Sequence, residues 1–145
     1  MSHLATIRPE FVEFIPRELA AGVLYISIPY KTAVHACACG CGSKVVTPIS
    51  PVRWRLTYDG ETVSLYPSVG NWSYPCESHY WVRENRVEWA PQWTKKQIEA
   101  NRAADRALKE NYQAERDNDA ASLLAKRQLG RVQRLVGRLR ARPRR

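Results

Sequence analysis

Arg53-Trp54-Arg55-Leu56-Thr57-Tyr58-Asp59-Gly60-Glu61-Thr62-Val63-Ser64-Leu65-Tyr66 alternates apolar and polar side chains on both sides of an Asp-Gly pair. Trp54, Leu56 and Tyr58 share one parity before the pair, and Val63 and Leu65 share one after it. Strand side chains repeat every second residue, so this is the pattern of a half-buried antiparallel hairpin with Asp59-Gly60 as its turn. Outward from it, Val23–Ile28, Thr32–Ala36 and Lys44–Thr47 read as strands before the hairpin. Ser78–Arg83 and Arg86–Trp89 read as a second hairpin around Glu84-Asn85. Short strands with tight connections predict a small antiparallel β domain, a sandwich or partly closed barrel.

The chain changes character near Pro91. Helix formers follow, with no proline until Pro143. Thr94-Lys95-Lys96-Gln97 is a capping-box pattern, in which the two polar side chains satisfy backbone donors at a helix start. Leu129, Val132, Val136 and Leu139 then recur at three-four-three spacing, an apolar stripe on a basic helix, and Asp117-Asn118-Asp119 is a candidate break. The expected class is therefore mainly β with a C-terminal α segment. It divides into a β domain at residues 1–91 and a helical, basic extension at 92–145.

The 145 residues carry a net charge of +9, unevenly spread. Residues 1–90 hold eight Lys/Arg and eight Asp/Glu, and residues 91–125 hold six of each. Residues 126–145 hold nine Lys/Arg and no acid, so any nucleic-acid or other polyanion binding is expected through that tail. No window approaches the eighteen apolar residues of a membrane span. The first residues also lack the basic, apolar and small-residue succession of a secretory signal, which points to the cytoplasm.

Three of the four cysteines, Cys37, Cys39 and Cys41, fall within five residues, and the fourth is Cys76. Residues so close make poor disulfide partners, and in a reducing compartment such a cluster reads as a metal site. Zinc takes four thiolate or imidazole ligands, usually from two separate pieces of chain. Alternate cysteines on an extended strand would lie about 6–7 Å apart, so Gly40 and Gly42 are needed to curl the sulfurs together. Two ligand sets compete: Cys37, Cys39, Cys41 and Cys76, or Cys39, Cys41, Cys76 and His79. The first is favoured for a structural Zn2+ because no thiolate is left over. The ordinary fate of free cysteine, as a small buried hydrophobe, does not explain the clustering.

His35, His79 and nearby hydroxyls remain. Pro67-Ser68-Val69-Gly70-Asn71-Trp72 reads as a turn in which Ser68 could be held out beside free backbone donors. Ser78 and His79 are adjacent on a strand and must face opposite ways, so Ser68 with His79 is the better nucleophile–base pair, and Ser78 with His35 the second. Asp59, Glu61 and Glu88 are each candidates to orient a histidine. The bland alternative is that Ser68 is a turn residue and His79 a ligand. The set Trp54, Trp72, Trp81, Trp89, Tyr66, Tyr74 and Tyr80 is mostly core by composition, with Trp72 and Tyr74 able to line a cleft.

His35-Ala-Cys37-Ala-Cys39-Gly40-Cys41-Gly42 through Pro48, with Ser68-Val-Gly70-Asn71-Trp72, Cys76-Glu-Ser78-His79-Tyr80 and Val87-Glu88-Trp89, resembles a known family over roughly residues 20–90. This is the small Cys/His protein family of bacterial ubiquitin-like conjugation operons, the Bub-type systems. The resemblance implies a zinc-containing serine peptidase that trims or removes a ubiquitin-like protein. It implies a structural zinc, Ser68 or Ser78 as nucleophile and His79 or His35 as base. It further implies an extended glycine-rich substrate tail near Ser68–Trp72, bound by strand addition. E1-like and E2-like proteins are the further partners it suggests. A non-catalytic zinc adaptor that recruits those partners is the alternative, and a tail-mediated nucleic-acid binder is a third reading. The basic extension lies outside the matched motifs.

Overall fold

A computed structural model describes residues 3–140, with side chains through Arg138. It forms two compact units, residues 1–101 and 102–145. The first contains β1 (Arg8–Phe11), β2 (Val23–Ser27), β3 (Thr32–Ala36), β4 (Lys44–Pro48), β5 (Arg55–Tyr58), β6 (Val63–Gly70), β7 (His79–Arg83) and β8 (Arg86–Trp89). Two four-stranded sheets result, in the orders β1-β2-β3-β4 and β5-β6-β7-β8. The mainly β class with a C-terminal helix is as the sequence led us to expect.

The sheets share one core. Ile7, Leu24, Ile26, Ala33 and Val45 come from the first half, and Val63, Leu65, Val69, Tyr80 and Val82 from the second. All five residues of β2 are buried, as suits a strand covered on both faces. The N-terminal segment stitches the two halves together: Ile7 N–H donates to Asn85 O (2.7 Å), Leu4 N–H to Ala38 O (2.8 Å), and Val87 N–H to Ala5 O (2.9 Å).

Three local features depart from the sequence expectations. β1 pairs parallel to β2 (Arg8↔Val23 to Phe11↔Ile26). Its residues are exposed or partly buried and include Pro9, which an edge strand tolerates and which hides it from any period-two search. The β5–β6 connection is a four-residue loop, because Asp59 Oδ1 accepts from the N–H of both Glu61 (2.9 Å) and Thr62 (2.6 Å). Pairing therefore restarts at Tyr58↔Val63 instead of Glu61. The segment 67–70, expected as a turn, is the end of β6. The second hairpin turns on Glu84 and Asn85 with φ of 47° and 65°, the left-handed pair that a tight two-residue turn demands.

The helix α1 runs unbroken over Lys95–Arg140. Its start is a capping box: Gln97 N–H donates to Thr94 Oγ1 (3.3 Å) and Thr94 N–H to Gln97 Oε1 (2.8 Å). Asp117-Asn118-Asp119 does not interrupt it. Asp117 turns its carboxylate outward to accept from Gln113 Nε2 one turn back (2.8 Å), so it does not compete for the backbone.

Candidate functional site

Residues 37–43 leave β3 and curl before β4 begins. Cys37 N–H donates to Ser43 O (2.8 Å) and Gly40 N–H to Cys37 O (3.0 Å). Gly40 and Gly42 take φ of 84° and 78°, which favours glycine at both corners. The curl collects the sulfurs of Cys37, Cys39 and Cys41, and Cys76 arrives from just before β7. All four Sγ atoms lie within 4.8 Å of one another. Cys37 Sγ is 3.4 Å from Cys39 Sγ and 4.0 Å from Cys76 Sγ. A tetrahedron of thiolates about 2.3 Å from a zinc ion has edges of about 3.8 Å, so this donor set fits a tetrahedral ion that favours sulfur. The four cysteines are unbridged. Hydrogen bonds from the Ser43 side chain and backbone draw the Cys41 thiol down to about 6, while burial pushes the neighbouring Cys39 thiol up to about 12.

Ser78, just before β7, and His79, its first residue, face opposite sides of the chain. On the cysteine side, Ser78 Oγ is 3.0 Å from Cys37 Sγ, and Asn71 Nδ2 donates to Ser78 Oγ (2.8 Å) and to Cys37 Sγ (3.5 Å). Asn71 also donates its backbone N–H to Ser78 O (2.9 Å). This clasp joins the end of β6 and the start of β7 to the cysteine cluster.

On the other side stands a serine–histidine pair. The β6–β7 register is Leu65↔Val82 but Val69↔Tyr80 and Gly70↔His79, so β6 carries two extra residues between Leu65 and Val69. Val69 and Tyr80 remain buried. Gly70 opposes His79, and Ser68, two residues before Gly70, lies diagonal to His79 on the same face. Ser68 Oγ is 2.9 Å from His79 Nε2, and His79 Nδ1 is 2.8 Å from Pro91 O. A carbonyl oxygen only accepts, so Nδ1 carries the ring proton and Nε2 is left as the acceptor of the Ser68 hydroxyl. His79 is 4% exposed. Its ring packs against Trp72 (centroids 4.9 Å apart) and edge-on to Trp93 (5.0 Å), and the two indoles stack on each other at 5.5 Å. A shallow recess lined by Gly70, Asn71, Trp72, Ser73 and Tyr74 opens beside them.

The other sequence candidates lie elsewhere. His35 Nε2 meets Tyr80 Oη at 2.8 Å, whereas Ser78 turns to the sulfurs, so the Ser78–His35 combination is not assembled. Burial pushes the His35 imidazole down to about 4, and its Nδ1 is buried with no hydrogen-bond partner. None of the three carboxylates expected to orient a histidine reaches His79. Asp59 caps the loop after β5, and the Thr62 hydroxyl and backbone N–H donors hold it down at about 2. Glu88 pairs with Arg83 (2.8 Å), and Glu61 contributes its backbone carbonyl to Asn85. Sequence reading missed Pro91, Trp93 and the clasp role of Asn71. The backbone of Pro91 acts through no side chain, and Trp93 falls after the last strand, where nothing in the local pattern ties it to His79. Ala90 N–H donating to His79 O (2.9 Å) extends the β8 pairing and carries both residues alongside β7.

The model of a family described as bacterial ubiquitination-like system serine protease (BubE) matches residues 11–90. The chain belongs to this family. The match contains the four cysteines, Ser68, Asn71, Ser78 and His79, and bears out the Bub-type resemblance; it ends before Pro91, Trp93 and α1. No curated protein and no solved structure matches the chain. A protease of a ubiquitination-like system is consistent with ubiquitin-like partners. No helix among the described residues is long and apolar enough to cross a membrane.

Proposed function

We propose that the chain is a zinc-stabilised serine peptidase or isopeptidase that processes or removes a ubiquitin-like protein, with Ser68 as nucleophile and His79 as general base. The observation that carries this reading is the line from Ser68 Oγ through His79 Nε2 and Nδ1 to Pro91 O, at 2.9 and 2.8 Å. Ser68 Oγ attacks the scissile carbonyl carbon as its proton passes to Nε2. The imidazolium so formed keeps its Nδ1–H on Pro91 O, which holds the ring in plane and offers a dipole where charge has developed. Nε2–H then protonates the leaving amine as the carbon–nitrogen bond breaks, leaving the acyl group on Ser68. A water gives a proton to Nε2 and attacks the ester carbon, and as the acyl–Oγ bond breaks Nε2–H returns that proton to Ser68 Oγ and the acyl group leaves as a carboxylic acid.

Zinc on Cys37, Cys39, Cys41 and Cys76 would cross-link the loop after β3 to the start of β7 and supply no step of the reaction. Beyond Arg55↔Tyr66 the β5 side of β6 has no strand neighbour among the described residues, so residues 67–70 offer an edge along which an extended substrate tail can lie with its scissile bond near Ser68. Trp72 and Trp93 wall off the far side of His79 and exclude water from the imidazole.

The test is zinc content measured together with cleavage of a ubiquitin-like protein carrying a C-terminal extension, for wild type, Ser68→Ala and His79→Ala. One zinc per chain in all three, with cleavage in wild type alone, is expected. Cleavage by Ser68→Ala would remove the nucleophile assignment, and loss of zinc from His79→Ala would make His79 a ligand. A zinc-loaded wild type that cleaves nothing would move the protein to the adaptor reading.

A further inference from the structure

The second half of α1 is a long exposed surface to which the Ser68–His79 site gives no role. At 100° per residue, Leu124, Leu129, Val132, Leu135 and Val136 fall within one arc of about 140°. All five are exposed, between 42% and 61%. Arg127, Arg131, Arg134 and Arg138 fall in a strip of about 60° along one border of that arc. After Asp119 the sequence has no acidic residue.

We propose that this half of α1 lies in the interface of an anionic phospholipid surface, with the leucine–valine arc in the acyl boundary and the arginine strip at the phosphates. Charge complementarity selects this occupant. Against a second copy of the helix, the arginine border would face either its own counterpart or a border without an acid, since no acid after Asp119 is there to pair it. A nucleic acid would satisfy the arginines but leave five aliphatic side chains in water, since phosphate contacts have no use for them. An anionic bilayer takes both. It buries an apolar face of this width to a shallow depth, and border arginines reach the headgroups while their stems stay with the apolar face. The inference is independent of the peptidase reading, because it concerns a segment outside the residues matched to the family.

The experiment is co-sedimentation of the full zinc-loaded chain with vesicles of phosphatidylcholine alone, or with roughly one third phosphatidylserine. Two triple variants serve as controls: Leu129→Gln with Val132→Gln and Val136→Gln, and Arg131→Gln with Arg134→Gln and Arg138→Gln. Helix content by circular dichroism verifies that each variant remains folded. The wild type should bind the anionic vesicles and hardly the neutral ones. Removing three arginines should weaken anionic-vesicle binding about a hundredfold, and removing the three apolar residues should weaken it comparably. Absence of binding to anionic vesicles overturns the proposal. So does anionic binding that survives loss of the apolar residues, which is bare polyanion adsorption. Duplex DNA bound more tightly than vesicles, with no effect of the apolar variant, makes the helix a nucleic-acid tail. Self-association by sedimentation velocity that disappears in the apolar variant makes the arc a homotypic interface.

Discussion

Gly70→Ala should disable the Ser68–His79 pair without touching either residue. Gly70 has no side chain where the Trp72 indole lies. A Cβ there would sit 2.5 Å from Trp72 Nε1, 2.7 Å from Cε2 and 3.0 Å from Cζ2. The indole must therefore retreat by roughly 1 Å to recover ordinary van der Waals separation. The backbone itself is no obstacle, since Gly70 is not among the positive-φ glycines. Trp72 is half-buried and can swing, so the stability cost should fall at the low end of overpacking, about 1 kcal/mol. The same swing takes the indole off the face of His79 and out of its stack with Trp93. A displacement of about 1 Å in a supporting wall can cost on the order of a hundredfold in rate, and a fall in kcat/KM of between tenfold and a hundredfold is expected. The assay is cleavage of a ubiquitin-like fusion, paired with tryptophan emission and a thermal unfolding curve. Combining Gly70→Ala with Trp72→Ala should cost less than the two single effects added together, because the clash needs both side chains. Full activity in Gly70→Ala with an altered tryptophan signal would refute the reasoning, as would strict additivity in the double variant.

Three further outcomes are expected. Ser68→Ala and His79→Asn should each lower kcat/KM by at least about a thousandfold, while removing a single half-buried hydroxyl in Ser68→Ala shifts the unfolding free energy by about 1 kcal/mol or less. Stripping the metal with a chelator, or Cys39→Ser, should lower the thermal midpoint by about 10 °C or more and abolish cleavage, since the four sulfurs lie on two pieces of chain that converge beside His79; an unchanged midpoint in metal-free protein would remove the structural role. Asp59 is held at about 2, below its ordinary 3.8. Its stabilising effect is complete above the ordinary value and is lost as pH falls through 2, so Asp59→Asn should flatten that part of the acid-unfolding profile, seen by fluorescence-detected titration.

Much of the β architecture was legible because β4 and the start of β6 alternate in burial, β2 is a continuous apolar run, and the turns carry left-handed residues. Thr32–Ala36 and Arg86–Trp89 are bounded in the structure as the pattern bounds them. β1 was not legible, because parallel pairing at an exposed edge leaves no alternation to find. The helix was expected to break at Asp117-Asn118-Asp119, and a local side-chain partner removes the reason. At the site, residue types and spacing carried the information about the cysteines: three thiols alternating with Ala38 and Gly40 point to a shared centre, and with Cys76 their sulfurs lie within 4.8 Å of one another. Ser68 opposite His79 was reachable only by elimination, because the two-residue register shift that sets them diagonal is a property of the pairing and not of either strand alone. Pro91 O was out of reach. A search for a carboxylate partner looks among Asp and Glu, and a main-chain carbonyl leaves no mark on composition.

The alternation of Ser78 and His79 also governs how this gene can change in length. The cysteine clasp reads one parity of the chain entering β7 and the imidazole pocket reads the other. Adding or deleting one residue between Cys76 and His79 would exchange the two, turning an imidazole toward the sulfurs and a hydroxyl toward Ser68. Point substitutions there can be neutral, but single-codon insertions and deletions cannot. The loop after β5 is held more loosely, by Asp59 from one side and from downstream by Asn85 Nδ2 on Glu61 O at 3.5 Å. In a library of single-residue insertions, tolerated variants should gather around residues 59–62 and be absent from 76–79.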